Sequence, residues 1–334
     1  MLFQPAIIAL LLVAGTAVLL LALVTPGLIE LLRHWDLSSG SSRQLRLERR
    51  TYLYSTLTGF VLAAQGLALL LFVFTADRLA LRFVGAMCAV GTLNVNPWGF
   101  PALGSQVAVF FAASLWLILN HLDNQARQYP LIRLKYGLLL GLLPLLVLNL
   151  VLQWRFFSGL KAQVITSCCG SLFSGEARTL AAELSALPPQ PAMLLSALGL
   201  GLVLLLAAWH RRDGGRASAC ATALAGALAF AAGLLAVLSY LSLYLYEHPH
   251  HHCPFCLLKP EYHYQGYALY LPLFVASVAA LGTGLVRACA GRPGLALLAP
   301  RLSRRLAGVA LAGYSLFALL AALAVWQSRL ILIE

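Results

Sequence analysis

The stretch 5–32 reads PAIIALLLVAGTAVLLLALVTPGLIELL and contains a single ionisable side chain, that of Glu30. The hydrocarbon core of a bilayer is about 30 Å thick, and a helix needs about 20 apolar residues to cross it. Further apolar stretches of this kind follow, so that the predicted spans are residues 5–32, 53–76, 104–122, 137–154, 193–209, 221–245, 268–286 and 306–327. The sequence therefore predicts an all-α, polytopic integral membrane protein with about eight transmembrane helices.

The amino-acid composition agrees with this class. Hydrophobic residues make up 61% of the chain and charged residues 10%, whereas a soluble domain carries about 25% charged residues. Such a chain has too little polar surface to cover a globule in water, so the lipid bilayer is its first predicted partner. The net charge is +12, but the basic residues lie in short segments between apolar runs. That placement is a topology signal and argues against nucleic-acid binding.

The basic residues also predict an orientation. Sixteen of the 23 Lys and Arg residues fall in four alternate loops, 33–52, 123–136, 210–220 and 287–305. Loops rich in Lys and Arg remain in the cytoplasm, so we expect these four loops inside and both chain termini on the exoplasmic side. The predicted location is a bacterial-type inner membrane, with the remaining loops facing the periplasm.

The segment 83–103 does not read as a regular span. It begins apolar and is then interrupted by Asn94, Asn96, Pro97, Gly99 and Pro101. A straight transmembrane helix would expose these amides and freed backbone groups to lipid, which is costly. We therefore expect a re-entrant or interfacial segment on the outer face, acting either as a membrane anchor or as one wall of a functional pocket.

The predicted spans contain almost no ionisable groups near the centre of the bilayer. Proton-coupled and ion-coupled carriers place such groups there, so this class of function is disfavoured. No tandem repeat or low-complexity linker divides the chain, and residues 1–334 are predicted to form one membrane domain. The chemistry is therefore expected in the outer loops.

Two outer loops carry close pairs of cysteines. Loop 155–192 contains ITSCCGSLF with Cys168 and Cys169, and loop 246–267 contains EHPHHHCPFCLLKPEYHY with Cys253 and Cys256. The C-x-x-C spacing brings two sulfurs within reach of one disulfide or one metal ion. The same loop supplies the candidate histidine ligands His248, His250, His251, His252 and His263. Of the other cysteines, Cys220 and Cys289 lie at predicted cytoplasmic helix ends, where a single cysteine is typically a small apolar filler, and Cys88 lies in segment 83–103.

The first functional interpretation is a thiol–disulfide electron relay. Two cysteine pairs on the outer loops of a helical membrane protein are similar to the arrangement in the disulfide-generating quinone reductases and the vitamin K epoxide reductase relatives. The likeness lies in the arrangement of cysteines alone. It implies exchange with a periplasmic thioredoxin-like protein and electron transfer to a quinone. Cys253 would then attack and Cys256 resolve the mixed disulfide, because exchange needs an accessible thiolate.

The second interpretation is capture and transfer of a soft metal ion. Thiolates and imidazoles together suit Cu(I) or Zn²⁺, and a periplasmic metallochaperone would be the partner. Structural cross-links, or a structural subunit of a larger membrane complex, are a third alternative. Trp98, Tyr262 and Tyr264 fit the aromatic belt at a membrane surface, and alternatively the rim of a quinone pocket.

Overall fold

The computed structural model describes residues 1–36, 39, 41–126, 128–161, 187–249 and 251–330. This part of the chain is helical, and eight of its helices are long and apolar enough to cross a membrane. The prediction of an all-α chain with the helices of a polytopic membrane protein is therefore confirmed, and contact with a lipid bilayer follows from these helices.

Each predicted span falls inside a long helix of the structure. A π-helical turn, Val237–Leu241, connects the helix Arg216–Ala236 to the helix Ser242–Tyr246, so that Arg216–Tyr246 forms one continuous span. Turns of 3₁₀ helix lie at Cys256–Leu258, Pro260–Tyr262 and Cys289–Gly291. The helices are α1 (Pro5–His34), α2 (Ser42–Ala80), α3 (Ala89–Leu93), α4 (Gly99–Gln125), α5 (Ile132–Ser158), α6 (Pro189–Asp213), α7 (Arg216–Ala236), α8 (Ser242–Tyr246), α9 (Gln265–Ala288) and α10 (Leu298–Gln327).

The irregular segment 83–103 is shorter than predicted. Helix α4 already begins at Gly99, so residues 99–103 are helical. Pro101 lies in the first turn of α4, where a missing backbone N–H breaks no intrahelical hydrogen bond. Asn96 satisfies its amide within the protein: its Oδ1 accepts from the Trp98 N–H at 3.0 Å and its Nδ2 donates to the Phe156 carbonyl at 3.0 Å. The Asn96 amide therefore has partners other than lipid.

The chain packs into two compact units. Unit 1 comprises Met1–Thr75, Val95–Ala162 and Cys289–Ala299, and unit 2 comprises Ala76–Asn94, Gln163–Ala288 and Pro300–Glu334. Segment 246–267 and helix α3 both belong to unit 2. The expectation that residues 1–334 act as one membrane domain stays a prediction.

In unit 1, α5 packs against α1 and α4 around an apolar core that includes Trp116 and Tyr136. A chain of amides crosses this core, because the Oε1 of Gln106 accepts from Asn149 Nδ2 and Gln153 Nε2, each at 2.9 Å. Apolar burial drives helix association weakly inside a bilayer, so such hydrogen bonds and close packing hold the helices together.

In unit 2, α7 packs against α6 and α9. The approach of α7 to α9 is close: a Cβ added to Gly226 would lie 2.4 Å from the Cβ of Ala280. Tyr314 of α10 connects the group, since its hydroxyl donates to the Gly226 carbonyl at 2.8 Å and lies 2.9 Å from Ser277 Oγ. Small residues therefore allow α7, α9 and α10 to pack closely. These helices form the scaffold that carries loop 246–267 between α8 and α9.

Candidate functional site

The C-x-x-C segment forms a tight turn at the end of unit 2 where α8 ends and α9 begins. After the Cys253–Pro254 pair, the chain enters the 3₁₀ turn Cys256–Leu258, in which the Leu258 N–H donates to Phe255 O at 3.0 Å and the Lys259 N–H donates to Cys256 O at 3.1 Å. The turn brings both cysteine side chains to the inner side of the loop. Cys253 is fully buried and Cys256 is nearly so.

A third cysteine meets this turn from a distant part of the sequence. Cys88 immediately precedes α3 in an extended backbone conformation, and its carbonyl accepts from the Gly91 N–H at 3.0 Å. Its side chain is fully buried. The Sγ atom of Cys88 lies 3.4 Å from that of Cys253, across 165 residues of sequence.

The three sulfurs converge on one point. The Sγ atoms of Cys88, Cys253 and Cys256 all lie within 4.8 Å of one another. Buried Val90 packs on this group, which we call the three-cysteine cluster. Three buried soft ligand atoms are chemically suited either to a soft metal ion or to reversible disulfide formation.

Two tyrosines hold the cluster in place through the loop backbone. The hydroxyl of Tyr246 donates to the carbonyl of Cys253, and that of Tyr270 donates to the carbonyl of Pro254 at 2.7 Å. Tyr246 comes from α8 and Tyr270 from α9, so both helices that flank the loop position the first cysteine of the C-x-x-C segment. The ring of Tyr246 also packs on Tyr262, with the ring centroids 4.5 Å apart.

Gly266 provides a direct test of this packing. A Cβ at this position would lie 2.9 Å from Leu257 Cβ and 3.0 Å from the Leu257 carbonyl carbon. Because backbone atoms cannot rotate away, Gly266→Ala is expected to displace the Cys256–Leu258 turn and to destabilise the protein by about 1–3 kcal/mol. We expect alkylation of Cys253 and Cys256 in the folded protein to accelerate at least severalfold, measured by mass spectrometry of peptides.

A matched control exists in the same unit. A Cβ added to Gly201 of α6 would meet no atom within 4 Å, so Gly201→Ala should leave the alkylation rates as they are in the unsubstituted protein. Equal alkylation rates in both variants would contradict the packing of Gly266 against the turn.

A carboxylate and an ammonium group lie beside the cluster. Asp77, near the end of α2, faces the backbone N–H of Ala89 and interacts electrostatically with Lys259 and Cys256. Its Oδ1 is buried and has no hydrogen-bond partner among the described residues. A carboxylate with a spare acceptor atom can take a proton released when a thiol becomes a thiolate.

Tyr262, whose ring lies against the three-cysteine cluster, stays neutral. Burial raises the pKa of the Tyr262 phenol, and the negative charge of nearby Cys256 and Glu261 raises it further. Ionisation of Tyr262 is therefore disfavoured while Cys256 carries a thiolate. Tyr262, predicted as an aromatic residue at the rim of a pocket, lies against the three-cysteine cluster.

The histidines occupy different positions from the sulfurs. Within the described part of the chain, the group of ligand atoms that lie close together consists of the three cysteines. His252 Nδ1 donates to the Leu238 carbonyl of the π-helical turn at 2.9 Å, a local structural contact. The ring of His251 packs on that of Tyr246, with the centroids 4.4 Å apart, and its Nε2 is buried without a hydrogen-bond partner among the described residues. His248 and His263 are exposed.

The remaining predicted site residues are distributed as follows. Trp98 belongs to unit 1, where the Arg155 guanidinium lies 5.7 Å from its ring. Tyr264 is exposed and precedes α9 with a positive φ of 56°. Cys168, Cys169 and His250 lie outside the described residues.

Comparison with models of known protein families, with curated proteins and with solved structures found no match to this chain.

Sequence reasoning missed Cys88 as a site residue. The signal that points to it is topological: segment 83–103 was predicted on the same outer face as loop 246–267, so a cysteine in it was available to the C-x-x-C pair. Cys88 lies in an irregular segment with no second cysteine nearby, so no local spacing marks it as a ligand. Tyr246 and Tyr270 were also missed, because a tyrosine at the end of a span is typical of the membrane boundary whether or not it holds a loop.

Proposed function

We propose that Cys88, Cys253 and Cys256 bind one Cu(I) ion as thiolates and that the protein captures and transfers this ion at a membrane surface. One observation carries the proposal: three buried sulfurs from two distant segments lie within 4.8 Å of one another. A structural cross-link needs two cysteines, whereas three sulfurs around one point are the donor set of a soft-metal site.

The spacing of the sulfurs supports trigonal coordination. With metal–sulfur bonds of about 2.3 Å, the sulfurs of a planar three-thiolate site are about 4 Å apart. The observed limits, 3.4 Å between Cys88 and Cys253 and 4.8 Å for the group, bracket this value. Zinc in structural sites takes four protein ligands, so a three-sulfur set favours Cu(I) over Zn²⁺.

Burial of the sulfurs also favours metal binding over exchange with a soluble partner. Thiol–disulfide exchange requires that the attacking thiolate reach the partner's disulfide. Cys253, the attacker in a relay, is fully buried. A metal ion needs only a small opening, and exclusion of water protects the bound Cu(I) from oxidation and hydrolysis.

The charged groups beside the cluster, Lys259 and Asp77, suit a site whose thiols release protons when they bind a metal ion. Three thiolates and one Cu(I) carry a net charge of −2, which Lys259 partly offsets from the same loop. Binding displaces thiol protons, and Asp77, with its unpartnered Oδ1, is the described carboxylate that interacts with Cys256. We assign Asp77 the role of acceptor for one of the three thiol protons, and the other two pass to solvent.

We further propose that the cluster faces the periplasm of a bacterial-type inner membrane. The support is the concentration of Lys and Arg in the four loops at the opposite helix ends, which positive-inside topology places in the cytoplasm. We propose that a periplasmic metallochaperone delivers or receives the ion near exposed His248, whose ring lies 6.4 Å from that of His251.

A thiol–disulfide relay is the second candidate, and a different observation favours it. The Sγ atoms of Cys88 and Cys253 lie 3.4 Å apart. They need to approach each other by little more than about 1 Å to reach the length of a disulfide bond, about 2.05 Å. Oxidation of the two thiols forms one S–S bond and releases two electrons and two protons. A quinone, reduced to the hydroquinone, or an oxidised thioredoxin-like partner, reduced to the dithiol, would accept both.

One experiment separates the two candidates. The protein is purified under anaerobic, reducing conditions in a neutral detergent and titrated with Cu(I) held by a competing chelator. We expect one Cu(I) per chain, with protection of Cys88, Cys253 and Cys256 from alkylation, and weaker binding of Zn²⁺. Absence of saturable Cu(I) binding by the fully reduced protein would refute the metal site. A Cys88–Cys253 disulfide in protein isolated without reductant would then support the relay.

A further inference from the structure

A groove with three arginines lies at the other end of unit 2, where α6 ends and α10 begins. Its volume is about 580 Å³, and it is lined by Arg211, Arg304, Arg305, Gly308, Val309 and Ala312. Span Arg216–Tyr246 runs from this end to the cysteine loop, and at 1.5 Å per residue its length is about 45 Å. The groove is therefore distinct from the three-cysteine cluster.

The positive charge of the groove is only partly offset by a carboxylate, since Asp213 interacts electrostatically with Arg304. Within the described part of the chain, no carboxylate lies at ion-pair distance from Arg211 or Arg305. The Asp213 carboxylate is oriented by local hydrogen bonds, since its Oδ2 accepts from Gly215 N at 2.8 Å and from Ser218 Oγ at 2.6 Å. Three exposed guanidinium groups thus share one opening without an acid among the lining residues.

The arginines are partly fixed in position. Arg304 Nη2 donates to the Asp213 carbonyl at 3.3 Å at the end of α6. The guanidinium of Arg211 lies over Gly308, where a Cβ would be 3.6 Å from its Nε. The absent side chain leaves space for the guanidinium against the helix. Guanidinium groups arranged in this way bind phosphate oxygens in a bidentate manner.

An apolar stripe leads away from the arginines along α10. Val309 on the floor of the groove is exposed, and so are Leu316, Leu319 and Leu323 at helical spacing beyond Ala312. These residues lie on one side of a helix that is long and apolar enough to cross the membrane. A ligand with a phosphate head and an acyl chain would place its head on the arginines and its chain on this stripe.

We infer that this groove binds the headgroup of an anionic glycerophospholipid, with phosphatidylglycerol as the probe. The phosphate is held by Arg211, Arg304 and Arg305, and an acyl chain follows Val309 and the exposed leucines. The inference is independent of the metal site, because it rests on residues at the opposite helix ends.

The test uses delipidated full-length protein in a neutral detergent, titrated with phosphatidylglycerol and followed by native mass spectrometry and thermal unfolding. We expect saturable binding, and at least about a tenfold weaker affinity for the variant Arg211→Gln/Arg305→Gln. The matched control Arg212→Gln/Arg301→Gln removes the same charge from exposed arginines outside the groove lining, and should bind within about twofold of the unsubstituted protein.

Two further arms identify the source of the phosphate. Phosphatidylcholine and inorganic phosphate should each fail to give saturable stabilisation. Equal binding of phosphatidylcholine and phosphatidylglycerol, saturation by inorganic phosphate alone, or an equal effect of both double variants would overturn the proposal. The thermal stability of the groove variant is also measured without lipid. Native mass spectrometry detects lipid bound to folded protein, so it separates a loss of binding from a loss of stability.

Discussion

Replacement of Cys88 by serine is expected to lower Cu(I) affinity at least about 100-fold, as much as replacement of Cys253 or Cys256. Serine is a hard oxygen ligand that does not replace a thiolate for Cu(I), and two remaining sulfurs leave the ion with an incomplete set. Affinity is measured by competition with a Cu(I) chelator under anaerobic conditions. A site made by the C-x-x-C segment alone would be indifferent to Cys88, so this variant tests the three-cysteine cluster itself.

Cys220 supplies the matched control. It is an exposed, unbridged cysteine in α7 of the same unit, and Cys220→Ser changes the number of thiols by the same amount. We expect no change in Cu(I) affinity or stoichiometry. If Cys88→Ser and Cys220→Ser behave alike, the convergence of the three sulfurs has no role in metal binding.

The second large effect is expected in unit 1, where a buried ion pair joins α4 to α5. Lys135 Nζ lies 2.8 Å from Asp123 Oδ2, and both side chains are fully buried. The other carboxylate oxygen of Asp123 accepts from the Leu131 N–H at 2.8 Å, which ties the α4–α5 connection to the same group. Lys135→Met removes the cation and leaves a buried, uncompensated carboxylate, so we expect a loss of about 3–5 kcal/mol in the free energy of unfolding.

Two further variants isolate the cause of that loss. In Asp123→Asn/Lys135→Met the buried charge is gone while an acceptor for Leu131 remains, so much of the stability should return. Arg43→Met breaks an exposed ion pair with Glu30, at 3.4 Å, and should cost less than about 1 kcal/mol. Denaturant titration of each variant in detergent gives the comparison. A double variant as unstable as Lys135→Met would assign the loss to packing of the lysine stem and not to the unpaired charge.

The metal and lipid proposals concern opposite ends of unit 2 and fail independently. Loss of Cu(I) binding in Cys88→Ser leaves the arginine groove intact, and Arg211→Gln/Arg305→Gln leaves the three-cysteine cluster intact. Each double or single variant therefore serves as a folding control for the other site.

Much of the helical framework was predictable because it depends on local composition. A run such as 5–32 is apolar along its whole length, and a helix is the structure that satisfies its backbone within a bilayer. Helix α4 begins five residues before the predicted span 104–122, because Gly99 and Pro101 lie in its first turn. In the first turn of a helix they interrupt nothing, since the backbone N–H groups there have no intrahelical partner.

The candidate site was only half predictable. The C-x-x-C spacing marks Cys253 and Cys256 directly, because two cysteines three positions apart can meet in a tight turn. The tandem histidines before them were equally conspicuous, yet His252 bonds to a π-helical turn and the described histidines lie outside the sulfur group. Their role depends on which backbone carbonyls and rings the fold brings next to them, and this information is not local.

The sequence by itself determined the class of protein, the number of long apolar helices and the C-x-x-C pair, since each follows from residues that are neighbours in the chain. Tertiary structure decided that Cys88 completes the cluster, that Asp77 and Lys259 lie beside it, and that Tyr246 and Tyr270 hold its backbone. Only the packing of α3 against loop 246–267 brings sulfurs 165 residues apart to 3.4 Å. Contacts of that separation depend on how the helices pack together, which no spacing along the chain encodes.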